Sequence, residues 1–210
     1  MIDIDTAKKI LENDFIWPEE LKSISGKFSF KINNVPPINI SMEDLIKLKN
    51  DFILILGISE SLDNQKININ ILRNIFGCNP EKKEPCFYNQ DRYIKEDFAN
   101  NVSLKDKRYI IKKHTNKTSR WISPEYIELS KNEHMPSALL TTYTFFCYYS
   151  LYKEILWKNE YIWCSDKDHN GDRIYTWRYQ DPEWINKNGF SIHRHLSISN
   201  IYGLAPEIII

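Results

Sequence analysis

Asp166-Lys167-Asp168-His169-Asn170-Gly171-Asp172 lies between two short runs, Tyr161-Ile162-Trp163 and Ile174-Tyr175-Thr176-Trp177. Its reading decides whether the last third of the chain is sheet or helix–loop–helix. The flanks are rich in aromatic and β-branched residues, which favour strands. Asn-Gly is the preferred pair for a two-residue type I′ turn, because both positions there take positive φ. Counting outward from such a turn sets Asp168 opposite Arg173, Asp166 opposite Tyr175, Cys164 opposite Trp177 and Ile162 opposite Tyr179. One face then carries Ile162, Cys164, Tyr175, Trp177 and Tyr179. Asp168 and Arg173 form a cross-strand ion pair, and Trp163 meets Arg178 as a cation–π pair on the other face. A hairpin over residues 161–179 is expected, with Trp163 and Arg178 as candidate binding residues.

The same stretch resembles the first half of an EF-hand calcium loop. Asp166, Asp168 and Asn170 stand where the first three oxygen ligands belong, and Gly171 where the loop turns sharply. The position of the bidentate glutamate is Trp177, and the flanks read as strands, so an EF-hand is not expected. The metal alternative is a calcium loop of another kind, with Asp166, Asp168, Asn170 and Asp172 as ligands, or Asp181 or Glu183 closing it. A tight hairpin strings Asp166 and Asp168 along one strand, which opposes convergence on an ion, and the hairpin reading is preferred.

Ile192-His193-Arg194-His195-Leu196 alternates with period two. As a strand it points His193 and His195 the same way, about 7 Å apart at Cα, a spacing that suits two zinc ligands. A third ligand would come from His169, His134, His114 or a carboxylate. The competing reading is a solvated face of Ser191, His193, His195 and Ser197 over an apolar face of Phe190, Ile192 and Leu196, with Arg194 the misfit. It is preferred, because two histidines alone carry little specificity.

Elsewhere the chain reads as mixed helix and strand. Short helices are expected over residues 6–13 and from Pro18, and Ser41 before Met42-Glu43-Asp44 is a serine N-cap with acids in the first turn. Ser123-Pro124-Glu125 is a similar start. Residues 27–32 and 38–40 read as strands, Phe52–Leu56 as a strand buried on both faces, and Arg108–Lys113 as another. Residues 137–156 read as a long buried helix, and 189–199 as a strand. With no repeat or linker, the expectation is one α+β domain over residues 1–210, its sheet antiparallel or mixed, with several helices and a C-terminal β-hairpin region.

Lysine plus arginine and aspartate plus glutamate number 28 each, so no global positive field points to nucleic acid or an anionic membrane surface. The N-terminus carries no signal-peptide pattern, and the uncharged run from Met135 to Tyr152 is too polar for a lipid-facing span, so a cytoplasmic protein is expected. Cys78, Cys86, Cys147 and Cys164 contain no CxxC pair and are expected as thiols, Cys147 in the core. No nucleotide-binding glycine loop, GxSxG or HExxH occurs. The expected function is a non-enzymatic binding or interaction module of immunity or accessory type. In that reading the acidic cluster Asp166, Asp168 and Asp172 meets a basic protein partner. The alternative is a metal-dependent, hydrolase-like enzyme, with His193 and His195 as ligands of zinc or calcium and a carboxylate of the 166–172 loop as third ligand or general base, which requires the two regions to meet in space.

Overall fold

The structure, a computed structural model, describes residues 2–79, 86–179, 189–194 and 198–210. His195, Asp181, Glu183 and Ser197 lie outside the described residues. The helices start where the chain supplies an acceptor. Asp3 accepts from Thr6 N at the head of α1 (Ile4–Leu11), and Ser41 accepts from Asp44 N at the head of α4 (Met42–Leu48). Asn68 does the same for α5 (Ile69–Phe76), which stops at Gly77 with φ of 70°. Proline at the first position opens α2 (Pro18–Ser23), followed by one turn of α3 (Ser25–Phe28); α6 is the single turn Asp97–Asn100.

The longest helix, α7 (Ala138–Tyr152), is capped by Ser137 and closed by Lys153 in the left-handed region. Its apolar residues cover every side, which fits a helix buried all round. Two of its β-branched residues are accommodated by back-bonding: Thr141 and Thr142 both donate to Ala138 O, at 3.0 and 2.6 Å. Cys147 is a fully buried core residue, as expected, and burial pushes its thiol well up.

Two larger sheets flank this helix. One has the order β1-β3-β5-β11-β6, built from β1 (Phe15–Ile16), β3 (Phe52–Leu56), β5 (Arg108–Lys112), β6 (Glu133–His134) and β11 (Glu207–Ile208). It is mixed: β1 runs parallel to β3, the other pairs antiparallel. The other has the order β10-β7-β8-β9, from β7 (Tyr161–Lys167), β8 (Arg173–Tyr179), β9 (Gly189–Arg194) and β10 (Tyr202–Gly203). A small ribbon pairs β2 (Phe30–Lys31) with β4 (Glu60–Ser61). Tyr143 on α7 donates to Leu56 O at 2.9 Å on the first sheet, while Thr141 bonds Thr176 on the second, also within α7's reach at 3.0 Å. One continuous apolar cluster runs through both sides. The α+β class with mixed sheets and a C-terminal hairpin is the observed one.

Several local expectations are corrected. Residues 38–40 are buried at Ile38 and Ile40 but form no strand, since the preceding Pro36-Pro37 has no N–H to pair. Residues 27–32 give one helical turn and a two-residue strand. The start at Ser123 yields only a 3₁₀ turn, Pro124–Tyr126. The 161–179 hairpin forms with another register: Ile162 faces Thr176, Trp163 faces Tyr175, and Lys167 faces Arg173, with an irregularity between Trp163 and Lys167. The expected Asp168–Arg173 and Trp163–Arg178 pairs are therefore not cross-strand neighbours; Arg178 lies opposite Phe190 instead.

The turn explains the first part of the shift, and the irregularity between Trp163 and Lys167 the rest. Gly171 N donates to Asp168 O at 2.9 Å and Asp168 N to Asp172 O at 3.0 Å. Gly171 has φ of 84°, while Asn170 is not among the positive-φ residues. This is a three-residue loop closed by a glycine bulge, not a type I′ turn. Asn170→Ala should then change stability by less than about 0.5 kcal/mol, whereas Gly171→Val should cost about 1–2 kcal/mol for its left-handed backbone. Urea unfolding of the two variants checks this; equal losses would restore the two-residue turn.

Candidate functional site

The acidic loop is occupied by its own backbone and by α7. Asp168 Oδ1 accepts from Asn170 N and Asp172 N, both at 2.9 Å, and the side chain is only 6% exposed. Asp166 Oδ2 accepts from Ala138 N at 2.6 Å, adding a carboxylate to the N-terminus of α7, where orphan N–H groups favour one. Burial is the largest influence on Asp166 and raises its pKa, against the opposing Ala138 bond. Asp166→Ala should cost about 1–3 kcal/mol by leaving Ala138 N buried and unpaired, and Asp166→Asn, which keeps the acceptor, clearly less. A denaturant midpoint series checks this.

Asp172 is the acid of the cluster that keeps a half-exposed carboxylate; its Oδ2 lies 4.0 Å from Arg194 Nη1, which is 3.9 Å from Asp168 Oδ2. A guanidinium thus stands where the loop's carboxylates approach one another. Among the described residues no group of three His, Cys, Asp or Glu side chains is placed to hold a metal ion. Asn170 is solvent-exposed. Trp163 is wholly buried, in an outer aromatic cluster with Tyr175 and Tyr202, so it offers no exposed platform. Arg178 is half-buried.

The 166–172 loop and the His193 strand do meet. Asp168, His169, Ile174, Ile192, His193 and Arg194 line one cavity of about 360 Å³. Its opposite wall is a segment the sequence did not connect to it: Arg92, Tyr93, Glu96 and Phe98. That segment is tied down from behind. Asn70 and Asn100 both donate to Ile94 O, at 2.8 and 2.7 Å, and Asn100 also donates to Glu96 O at 2.9 Å. Arg73 Nη1 donates to Tyr93 OH at 3.0 Å. Gln90 Nε2 donates to Ile192 O at 2.5 Å and to Ser191 Oγ at 3.0 Å, fastening the same segment to β9. Ser191 is consequently buried, not part of a solvated strand face.

Glu96 is the N-cap of α6 but makes no capping bond with its side chain. Both carboxylate oxygens go to His169: Oε2 accepts from the backbone N at 3.0 Å and Oε1 pairs with Nδ1 at 2.6 Å. The carboxylate is 12% exposed, the imidazole 71%. Glu96 raises the pKa of His169, through the hydrogen bond first and its charge second. His193 behaves oppositely. Its ring stacks on Tyr175 at 5.7 Å and 19°, and Nδ1 lies 3.3 Å from Arg194 O. Burial lowers its pKa, against the opposing bond to the Arg194 carbonyl, and the charges of Arg92 and Arg194 add to the lowering.

The two signs follow for stability. The contribution from His193 is present above its ordinary pKa and is lost as pH falls through its lowered folded value. The contribution from His169 is present below its ordinary pKa and is lost as pH rises through its raised folded value.

Arg194 was legible in the sequence only as the misfit of an alternating strand. Glu96 and Arg92 carried no signal, because their importance comes from contact with residues far along the chain. No protein family matches the chain, and no curated protein or solved structure shows significant similarity to it.

Proposed function

We propose that this chain is a binding protein whose cavity between residues 92–98 and the β8–β9 hairpin takes a small anion carrying an apolar group. The supporting observation is the balance of charge in that cavity. Its two carboxylates are already engaged, Glu96 by His169 and Asp168 by loop amides. Two guanidiniums line the same space: Arg194, 3.9 Å from Asp168 and 4.0 Å from Asp172, and Arg92. Arg92 is exposed and has no ion pair among the described residues. Guanidinium is the side chain best suited to phosphate or carboxylate oxygens. Tyr93, Phe98, Ile174 and Ile192 supply an apolar wall for the remainder of the ligand. The binding role expected from the sequence thus moves from the acidic cluster, two of whose carboxylates are used internally, to the cationic side of the cavity.

Phenyl phosphate, inorganic phosphate and phenol are the probes. Phenyl phosphate at a hundredfold over its Kd should stabilise the fold by about 2.7 kcal/mol, a rise of roughly 5 °C or more in Tm. Inorganic phosphate should give a smaller rise and phenol none. Arg92→Ala should keep the unliganded Tm and lose most of the rise. An equal rise with phenol, or none with either phosphate, would remove the reading.

A further inference from the structure

Resting on the anion-binding reading of the cavity, we propose that His193 and His169 act there as general base and general acid in the hydrolysis of a phosphodiester, with Glu96 positioning His169. Hydrogen bonds fix which ring nitrogens are available. The Glu96 carboxylate only accepts, so His169 Nδ1 carries a proton and Nε2 is the nitrogen left for chemistry. The Arg194 carbonyl likewise only accepts, so His193 Nδ1 carries a proton and its Nε2 presents a lone pair in the neutral ring. Glu96 grips the backbone N–H and the ring of His169 together, which sets the imidazole's position from two points. Both rings line the cavity that Arg92 and Arg194 make attractive to a phosphoryl group.

The protonation states are complementary. Burial keeps His193 in the neutral form to lower pH than an ordinary histidine, and Glu96 keeps His169 protonated to higher pH. Two groups pushed apart in this sense are poised as base and acid in the pH window between their two values. The other charged or titratable groups facing them are Arg92, Tyr93 and Glu96 from the 92–98 segment, Asp168 from the loop, Tyr175 from β8 and Arg194 from β9. In the step, a water oxygen forms a bond to phosphorus as His193 Nε2 takes its proton. The bond from phosphorus to one ester oxygen breaks, and His169 Nε2 gives its proton to that leaving oxygen. The products are a phosphomonoester and an alcohol, and the two histidines return to their starting states by exchanging one proton with solvent. Arg92 and Arg194 meet the charge that grows on the phosphoryl oxygens.

The test uses the full chain with bis(4-nitrophenyl) phosphate and the dinucleoside phosphate UpA. Hydrolysis of UpA above the buffer rate is expected, with a bell-shaped pH dependence. His193→Ala should lower kcat for either probe, and His169→Ala for UpA, whose alkoxide leaving group needs a proton, by about 10²-fold or more. Glu96→Gln should lower kcat less and move the alkaline limb of the profile to lower pH, since His169 loses the carboxylate that keeps it protonated. A merely structural role for Glu96 would leave that limb in place. Circular dichroism and Tm of the variants keep loss of fold apart from loss of chemistry. Absence of hydrolysis by the wild-type protein for UpA, or a wild-type rate on UpA in either histidine variant, overturns the proposal. Retention of the phenyl phosphate Tm rise in that case leaves the binding reading intact; its loss removes both.

Discussion

Gly189→Val is expected to destabilise the protein by about 3 kcal/mol or more, the largest effect foreseen for a single surface-to-core boundary residue. Gly189 opens β9 with φ of 132°, a conformation that side-chain-bearing residues rarely adopt. A Cβ there would lie 2.5 Å from Tyr88 N, 2.6 Å from Phe87 C and 2.8 Å from Phe87 O. All three are backbone atoms, so no side chain can rotate away. The contact is close because residues 86–90 are strapped along the outer edge of β9: Phe190 N donates to Cys86 O and Tyr88 N to Phe190 O, each at 2.9 Å. A Cβ at 189 pushes this strap off its strand. The 92–98 wall of the cavity follows directly in sequence, so the anion-dependent rise in Tm should fall with the stability. Urea unfolding gives the first quantity and the phenyl phosphate melt the second. An unchanged midpoint in Gly189→Val would contradict the packing of the strap on β9.

Phe146→Ala should cost about 3–5 kcal/mol, the range for removing a large ring from a close-packed core. Phe146 is wholly buried on α7. Its ring lies 4.0 Å from that of Phe76 on α5, 4.7 Å from Phe87 in the strap and 5.6 Å from Phe190 on β9. Three separate parts of the chain lose a partner when it is truncated, and collapse into the space would require all of them to move. Phe146→Leu keeps most of the volume and should cost clearly less. Chemical denaturation of both variants, with the slope compared to wild type, measures the cost. A loss below about 1 kcal/mol for the alanine variant would mean that the aromatic stack is not a principal tie between α7 and the cavity side of the molecule.

Local signals in the sequence were sufficient where a single residue decides an element. Ser41 marks a helix start that the structure shows, and the apolar run Phe52–Leu56 is strand β3 with the same bounds. Local signals failed where a side chain chose between two backbones. Asn-Gly serves both a type I′ turn and a glycine-bulge loop, and here Asp168, bonding the amides of residues 170 and 172, goes with the second. That choice moved every cross-strand pair of the hairpin. Ser123-Pro124-Glu125 shows the opposite limit: good capping chemistry begins a turn, but no apolar face follows to hold a helix against the core.

The candidate site was half legible for the same reason. Asp168, His169, His193 and Arg194 lie within a short C-terminal region, and the metal-enzyme alternative requires the loop and the strand to meet. Their opposite wall is set by Asn70, Asn100 and Gln90, amides whose sequence context is unremarkable and whose partners are distant. Asp166 was read with the loop, yet its carboxylate serves α7, 28 residues earlier in the chain. No periodicity reports such a contact.

The most direct measurement is a titration of ring-labelled histidine in the full chain with phenyl phosphate, followed by NMR at neutral pH. Ligand in the cavity should shift the ring signals of His169 and His193 saturably and together, and leave those of His114 and His134, which do not line it, in place. Arg92→Ala should weaken both shifts alike. Saturable binding that leaves His169 and His193 unmoved, or no binding at all, would contradict the cavity as the functional site.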